Sequence, residues 1–222
     1  PNSNNFSLGG GTLTKTEDNP SNVFATWNPL HKPWASTTTW SYGNTRLYNS
    51  DSTSGSSPTT LGANSGKYYL EIKQGNNTEV YIGVCGEGFV SDDVNNKYSG
   101  ATYNATTGLL IWKNNGQKTV NGTSTSSYFN SYASGDILGI ALDLDASTRT
   151  VTFYKNGVAE SVGSQNLPTN MQTGYVFGVG IVQSGAVLQL NAGNGYFRSS
   201  AVSSPGTNAS GIGIFEHDVP TG

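Results

Sequence analysis

Residues Ser134 to Val158 (SGDILGIALDLDASTRTVTFYKNGV) constrain the fold more than any other stretch. Leu138, Ile140, Leu142 and Leu144 recur with a period of two, which places them on one face of an extended strand. Val151 and Phe153 cover the same side from a second strand. The link Asp145-Ala146-Ser147-Thr148-Arg149 is polar and too short for a crossover helix, so the strands return antiparallel. Lys155-Asn156-Gly157 closes the second strand with residues that tolerate positive φ in a tight turn. A lone hairpin is marginal in water, so the chain must supply a facing sheet.

Composition agrees. Charged residues make up only 11% of the chain and hydrophobic ones 34%, with 29 glycines and many Ser, Thr and Asn, so strands, turns and loops are favoured over helices. No stretch carries a sustained 3.6-residue apolar period, and almost no α-helix is expected. The net charge of -3 and the 11 scattered Lys and Arg argue against a nucleic-acid partner. No apolar run reaches the roughly 20 residues that cross a bilayer, so membrane insertion is not expected. Cys85, the single cysteine, sits in the apolar run Val80 to Gly86 and reads as a buried structural thiol. The chain begins at Pro1 without a Met and is expected to be a piece of a longer one.

Along the chain, residues 1–20 read as a polar arm or connector, residues 21–197 as one β-domain with its lead-in, and residues 198–222 as an extension expected to pack on a neighbour. Thr37 to Tyr48 reads as a strand pair turning at Gly43-Asn44, and Asp51 to Thr60 as a Ser/Thr/Gly loop. Tyr68, Leu70 and Ile72 share one strand face, and Lys67, Tyr69, Glu71 and Lys73 the other. Glu79 to Cys85 returns alongside. Leu109 to Trp112 is a further strand, and Tyr175, Phe177, Val179 and Ile181 line one face of another whose opposite face carries Gly178 and Gly180. Residues 87–103 and 121–134 read as long surface loops. Short strands at this spacing predict an all-β fold, a two-sheet antiparallel β-sandwich.

The chain resembles the SPRY domain family. The resemblance rests on Ser65-Gly66-Lys67-Tyr68-Tyr69-Leu70-Glu71, Ile82-Gly83-Val84, Gly135-Asp136 through Leu142-Asp143-Leu144-Asp145, and Phe153-Tyr154-Lys155-Asn156-Gly157, in that order. It implies a bent concanavalin A-like sandwich whose loops bind a partner protein, and it implies no catalysis. The flanks Asp18 to Leu30, Asn191 to Phe197 and Gly211 to Pro220 resemble those around such domains in virion and tail-fibre proteins of bacteriophages, especially marine ones. That implies a non-enzymatic tail-fibre, spike or capsid-surface module on the virion exterior. Its implied partners are other virion proteins, further copies of the chain, with a trimer favoured, and a host surface protein or glycan. A tailspike-type polysaccharide depolymerase and a free-standing SPRY adaptor are the alternatives.

The residues call for no cofactor. His31 and His217 lie nearly at opposite ends of the sequence, with no Gly-x-Ser-x-Gly or His-Glu-x-x-His pattern. Glu71-Ile72-Lys73 does not continue the Glu-x-Asp-x-x-Glu pattern of glycosidases on this kind of sandwich. Asp143 and Asp145 read as turn acceptors at a strand end. The candidate binding residues are loop aromatics and acids: Tyr98, Tyr103, Tyr128, Phe129 and Tyr132, with Asp92 and Asp93. Amphipathic rings in polar loops stack on sugars or anchor protein interfaces at small entropic cost. Tyr128 and Phe129 could instead fold back on the core.

Overall fold

The computed structural model describes residues 23–31, 37–50, 54–76, 78–91 and 108–221. The predicted hairpin is present: β9 (Ile137–Asp143) pairs antiparallel with β10 (Thr150–Lys155), with Leu142 opposite Val151 and Ile140 opposite Phe153. Asn156 (φ 49°) and Gly157 (φ 80°) supply the left-handed turn into β11 (Val158–Ala159). Around this hairpin runs the first sheet. It takes in β1 (Thr38–Ser41), β2 (Arg46–Asn49), β4 (Lys67–Gln74), β14 (Val187–Asn191) and the short β12 (Gln165–Asn166), in the order β1-β2-β14-β4-β9-β10-β11 with β12 beside β10.

The second sheet has the order β3-β13-β5-β6-β7-β8. Its strands are β3 (Gly55–Ala63), β5 (Val80–Gly86), β6 (Leu109–Lys113), β7 (Lys118–Val120), β8 (Thr123–Thr125) and β13 (Val176–Val182). Helix is confined to α1 (Glu87–Ser91) and one 3-10 turn, Thr169–Met171, among the described residues. The two sheets face each other across one apolar layer in which Ile72, Leu138, Ile140 and Phe153 meet Val80, Ile82, Leu110 and Trp112. The fold is therefore the expected sandwich.

Aromatic rings pack together within that layer. Trp112 lies 4.9 Å from Tyr132, 5.4 Å from Phe129 and 5.8 Å from Phe153 between ring centroids. Each such side chain contributes roughly 2–3 kcal/mol on burial. On β13, Val179 and Ile181 point outward into a second cluster with Tyr81, Cys85, Phe89, Leu109 and Ile111. Gly180 faces inward, where an added Cβ would stand 2.7 Å from the Trp27 ring, so the glycine admits that tryptophan.

Three expectations change. Ser54 to Thr60 is not a loop: most of it is β3, buried on a sheet edge through Ser56, Ser57 and Thr59. It escaped an apolar-period reading because its buried residues are small and hydroxylic. Pro58 is tolerated because β3 ends the sheet, and the lead-in covers its free side through Asn28 N to Pro58 O (2.9 Å) and Thr60 N to Thr26 O (2.7 Å). The loop before β9 is not a surface loop in its aromatic part, because Phe129 and Tyr132 are core residues. The C-terminal extension, expected to pack on a neighbour, folds back on its own chain. The hairpin of β15 (Tyr196–Phe197) and β16 (Ser200–Ala201) leads into a strap that lies on the outer face of the first sheet, with Phe215 buried 5.1 Å from the Tyr69 ring.

Candidate binding surface

The strand registers place three connections at one end of the sandwich: β3–β4, β9–β10 and β12–β13. Arg149 ties them together. Its Nη1 donates to Gly174 O (2.8 Å) and Met171 O (3.4 Å), its Nη2 to Asn64 O, and its backbone N–H to Gln172 Oε1 (2.8 Å). Gln172 Nε2 returns to Leu167 O (2.7 Å) and Arg149 O (3.3 Å). The planar guanidinium serves because its donors are fixed in a fork that reaches several carbonyls at once.

Two carboxylates complete the bracing. Asp145 accepts from Gly66 N (2.7 Å), and Glu87 Oε1 from Tyr175 N (3.0 Å), which joins α1 to the β12–β13 loop. On this braced end Leu61, Tyr68 and Tyr175 stand about half exposed, at 50%, 52% and 46%. An open hollow of about 460 Å³, lined by Val120, Asn121, Pro168, Thr169 and Asn170, lies on the same end. Chemically this is a set of rings and an aliphatic side chain held on strand ends and a braced loop that need not reorganise, which reduces the ordering cost of binding.

Of the residues singled out from the sequence, Tyr98, Tyr103, Asp92 and Asp93 lie outside the described residues. Phe129 and Tyr132 are buried at the opposite end. Tyr132 Oη donates to the carbonyl oxygens of Trp112 (2.8 Å) and Val80 (3.2 Å), and burial pushes its pKa well up. The backbone explains the inward fold: Tyr128 N and Phe129 N both donate to Gly116 O, and Tyr132 N to Asn114 O. Neither Phe129 nor Tyr132 has an exposed ring face to offer a ligand. Tyr128 is half-buried, with its Oη on Gln165 Oε1 (2.8 Å) and Lys118 Nζ 3.4 Å from its ring centroid.

Asp143 and Asp145 are turn acceptors. Asp143 Oδ1 takes the N–H groups of Asp145 (3.1 Å) and Ala146 (3.0 Å), and its Oδ2 pairs with Lys67 Nζ at 3.3 Å. Against the cost of desolvation, the Lys67 contact and those N–H groups together hold the Asp143 carboxyl below its ordinary range. No cluster of three or more His, Cys, Asp or Glu suited to a metal ion occurs among the described residues. Arg149, Gln172, Leu61, Tyr68 and Tyr175 were missed as site residues. The one cation in an otherwise neutral or acidic turn was the available signal.

A model of the SPRY domain family matches residues 67–195, more than half of the 222. The chain belongs to the SPRY domain family. The match runs from the first residue of β4 to the turn before β15, so the SPRY motif blocks, apart from Ser65-Gly66, and both sheets' central strands lie inside it. The SPRY domain of human HERC1 is similar in structure (TM-score 0.57, 16% identity over 74% of this chain and 96% of that one). So is the TRIM65 PSpry domain (TM-score 0.53, 15% identity, 75% and 88%). Stonustoxin also shares the fold (TM-score 0.54, 18% identity), with 75% of this chain matching 27% of that chain. At these identities the likeness establishes the SPRY fold. No curated protein matches the chain.

Proposed function

We propose that this SPRY chain is a non-enzymatic binding module on the exterior of a virion, in a tail fibre, spike or capsid surface, recognising a macromolecular partner with its Arg149-braced end. The observation that carries the binding reading is the cross-bracing itself. Three loops from both sheets converge on one guanidinium and one glutamine amide; half-exposed Tyr175 stands on one of them, and half-exposed Leu61 and Tyr68 on the strand ends that they join. Rigid aromatic anchors on preorganised loops are what a protein interface uses for its central contacts. The virion placement is supported by the flanking segments' resemblance to bacteriophage proteins and by a surface that relies on neutral polar groups. Assembly as a homo-oligomer, a trimer, belongs to the same reading. A non-catalytic role is supported by the two carboxylates nearest to a hydrolase pattern: Glu71 is sealed under the strap and Asp143 is committed to a turn and Lys67.

The test combines display and substitution. Fluorescently labelled protein is titrated onto host cells beside the triple variant Leu61→Ser, Tyr68→Ser and Tyr175→Ser. All three side chains are about half exposed, so its melting temperature should stay close to that of the parent while cell binding falls by about tenfold or more. Equal binding by the two proteins would remove this end from the interface. Imaging of particles with a labelled chain locates it, and absence from purified particles would end the virion reading. Release of reducing ends from capsular polysaccharide would end the non-enzyme reading.

A further inference from the structure

The outer face of the first sheet carries a group of cations with which no carboxylate pairs among the described residues. Across three neighbouring strands, Arg46 of β2 stands opposite Gln189 of β14, which stands opposite Lys73 of β4. All three face outward, because Leu47, Leu188 and Ile72 beside them point into the core. With strands spaced about 4.8 Å apart, the backbone positions of the two cations lie roughly 10 Å apart across the glutamine. The Arg46 guanidinium lies 4.8 Å from the Tyr48 ring centroid and Lys73 Nζ 5.7 Å from that of Phe197. The β15–β16 hairpin adds a third. Arg198 lies 4.8 Å from the Tyr42 ring centroid and its Nη2 donates to Tyr42 Oη at 3.0 Å.

Two independent features mark this place. First, the donors outnumber their acceptors. None of the three ion pairs among the described residues includes Arg46, Lys73 or Arg198. Arg46 Nε is buried without an acceptor, and its Nη1 reaches only Ser41 Oγ at 3.5 Å. A buried cationic donor left unmatched is costly unless something else accepts from it. Glu71, on the same face of β4 as Lys73, is occupied by the strap. Second, Tyr42 (φ 55°) and Arg198 (φ 61°) both hold left-handed backbone conformations that non-glycine residues rarely adopt. The surrounding structure keeps this strained pair, and such strain concentrates at binding sites.

We propose that Arg46, Arg198 and Lys73, with Tyr42, form a recognition site for the carboxylate of an acidic saccharide. Guanidinium forks match a planar carboxylate through paired N–H donors. Neutral groups at the same place, the Ser41 hydroxyl and the half-exposed Tyr42 phenol, suit the hydroxyls of a sugar ring. Consistent with charges gathered without a carboxylate partner among the described residues, partial burial and the field of Arg198 lower the Arg46 pKa, and the hydrogen bond and charge of Arg198 lower that of Tyr42. The site lies on a sheet face, apart from the braced loop end, and stands or falls independently of it.

Calorimetric titration at low salt with trigalacturonic acid, its trimethyl ester and the tripeptide Glu-Glu-Glu tests the proposal. The acid should bind, the neutral ester should not, and added salt should weaken the binding. Arg198→Gly is the decisive variant, because glycine accepts the left-handed φ without strain and leaves the fold intact. It should weaken trigalacturonate by about tenfold or more, as should Arg46→Gln. Equal binding of acid and ester, no binding of the acid, or an unaffected Arg198→Gly overturns the site. Glu-Glu-Glu binding as tightly as the sugar acid overturns the saccharide class.

Discussion

Asp136 and Glu71 do similar work at two places on the same sheet, and the difference between them is instructive. Asp136 closes one end of the sandwich. Its Oδ2 accepts from Ala133 N (2.9 Å) and pairs with Lys155 Nζ (3.3 Å), and its Oδ1 accepts from Asn156 Nδ2 (2.8 Å). Glu71 pins the C-terminal strap. Its Oε2 accepts from Glu216 N (2.9 Å) and Asn191 Nδ2 (3.3 Å), and its Oε1 from His217 N (2.9 Å) and Tyr69 Oη (3.4 Å). Both carboxylates therefore hold backbone N–H groups. Asp136 keeps 21% of its side chain in water and has a lysine beside it, whereas Glu71 is fully buried and no Lys or Arg pairs with it among the described residues. Asp136 is held below its ordinary pKa: the desolvation cost, the largest single contribution, is outweighed by Asn156, the Ala133 N–H and Lys155 together. Burial pushes Glu71 up, against the N–H groups of Glu216 and His217. Similar acceptor roles lead to opposite titration when water and a lysine are present at one site, while at the other burial outweighs the N–H groups and the charge of His217.

The sharpest way to break the comparison is to remove each carboxylate. Glu71→Ala strands two backbone donors and the Asn191 amide in a sealed place, and each unmatched buried group costs on the order of 1–3 kcal/mol. A loss of about 2–4 kcal/mol in urea unfolding is expected, together with fast hydrogen exchange at the Glu216 and His217 amides. A loss below about 0.5 kcal/mol would mean that the strap does not depend on this anchor. Asp136→Ala is expected to cost less, about 1–2 kcal/mol, because the freed donors of Ala133, Asn156 and Lys155 turn to water. If Asp136→Ala proved the more damaging of the two, sealing would not be what separates them.

The same contrast shows what the sequence discloses. The strand pairing that brings the parts of the Asp136 lock together was legible in local patterns, though the lock itself was not read: Gly135-Asp136 opens a period-two strand and Lys155-Asn156-Gly157 closes its partner. The Ile137 and Asn156 bonds (Ile137 N to Asn156 Oδ1, 2.9 Å; Asn156 N to Ile137 O, 2.7 Å) follow from that pairing. Glu71 was readable only as one of four outward residues on β4. Its burial depends on Glu216 and His217, far along the chain, and no period records that closure. His217 shows how specific it is: an added Cβ on Gly157 would stand 3.0 Å from its ring, so the hairpin glycine serves both the turn and the strap. Arg149 was hidden for a similar reason. In Asp145 to Arg149 it reads as one more polar turn residue, and its value lies in carbonyls from two other loops. Phe129 and Tyr132 misled in the opposite direction, since aromatic rings in a polar stretch look the same whether they face water or fill the space beside Trp112.

The smallest effect separates the two carboxylates most cleanly, because it has opposite signs. Asp136 has a folded-state pKa below its ordinary value, so its contribution is present above that value and is lost as pH falls through the folded one. Glu71 has a folded-state pKa above its ordinary value, so its contribution is complete below the ordinary value and is lost as pH rises through the folded one. Unfolding free energy measured from about pH 3 to pH 8 for the wild type, Asp136→Asn and Glu71→Gln isolates each term, since each amide removes one titration. The wild type minus Asp136→Asn should rise with pH across the acid range. The wild type minus Glu71→Gln should fall with pH, by roughly 1.4 kcal/mol for each unit of displacement. A Glu71 difference that rises with pH instead would show that the strap's two N–H groups outweigh the loss of water, and that this carboxylate is a second Asp136 under a lid.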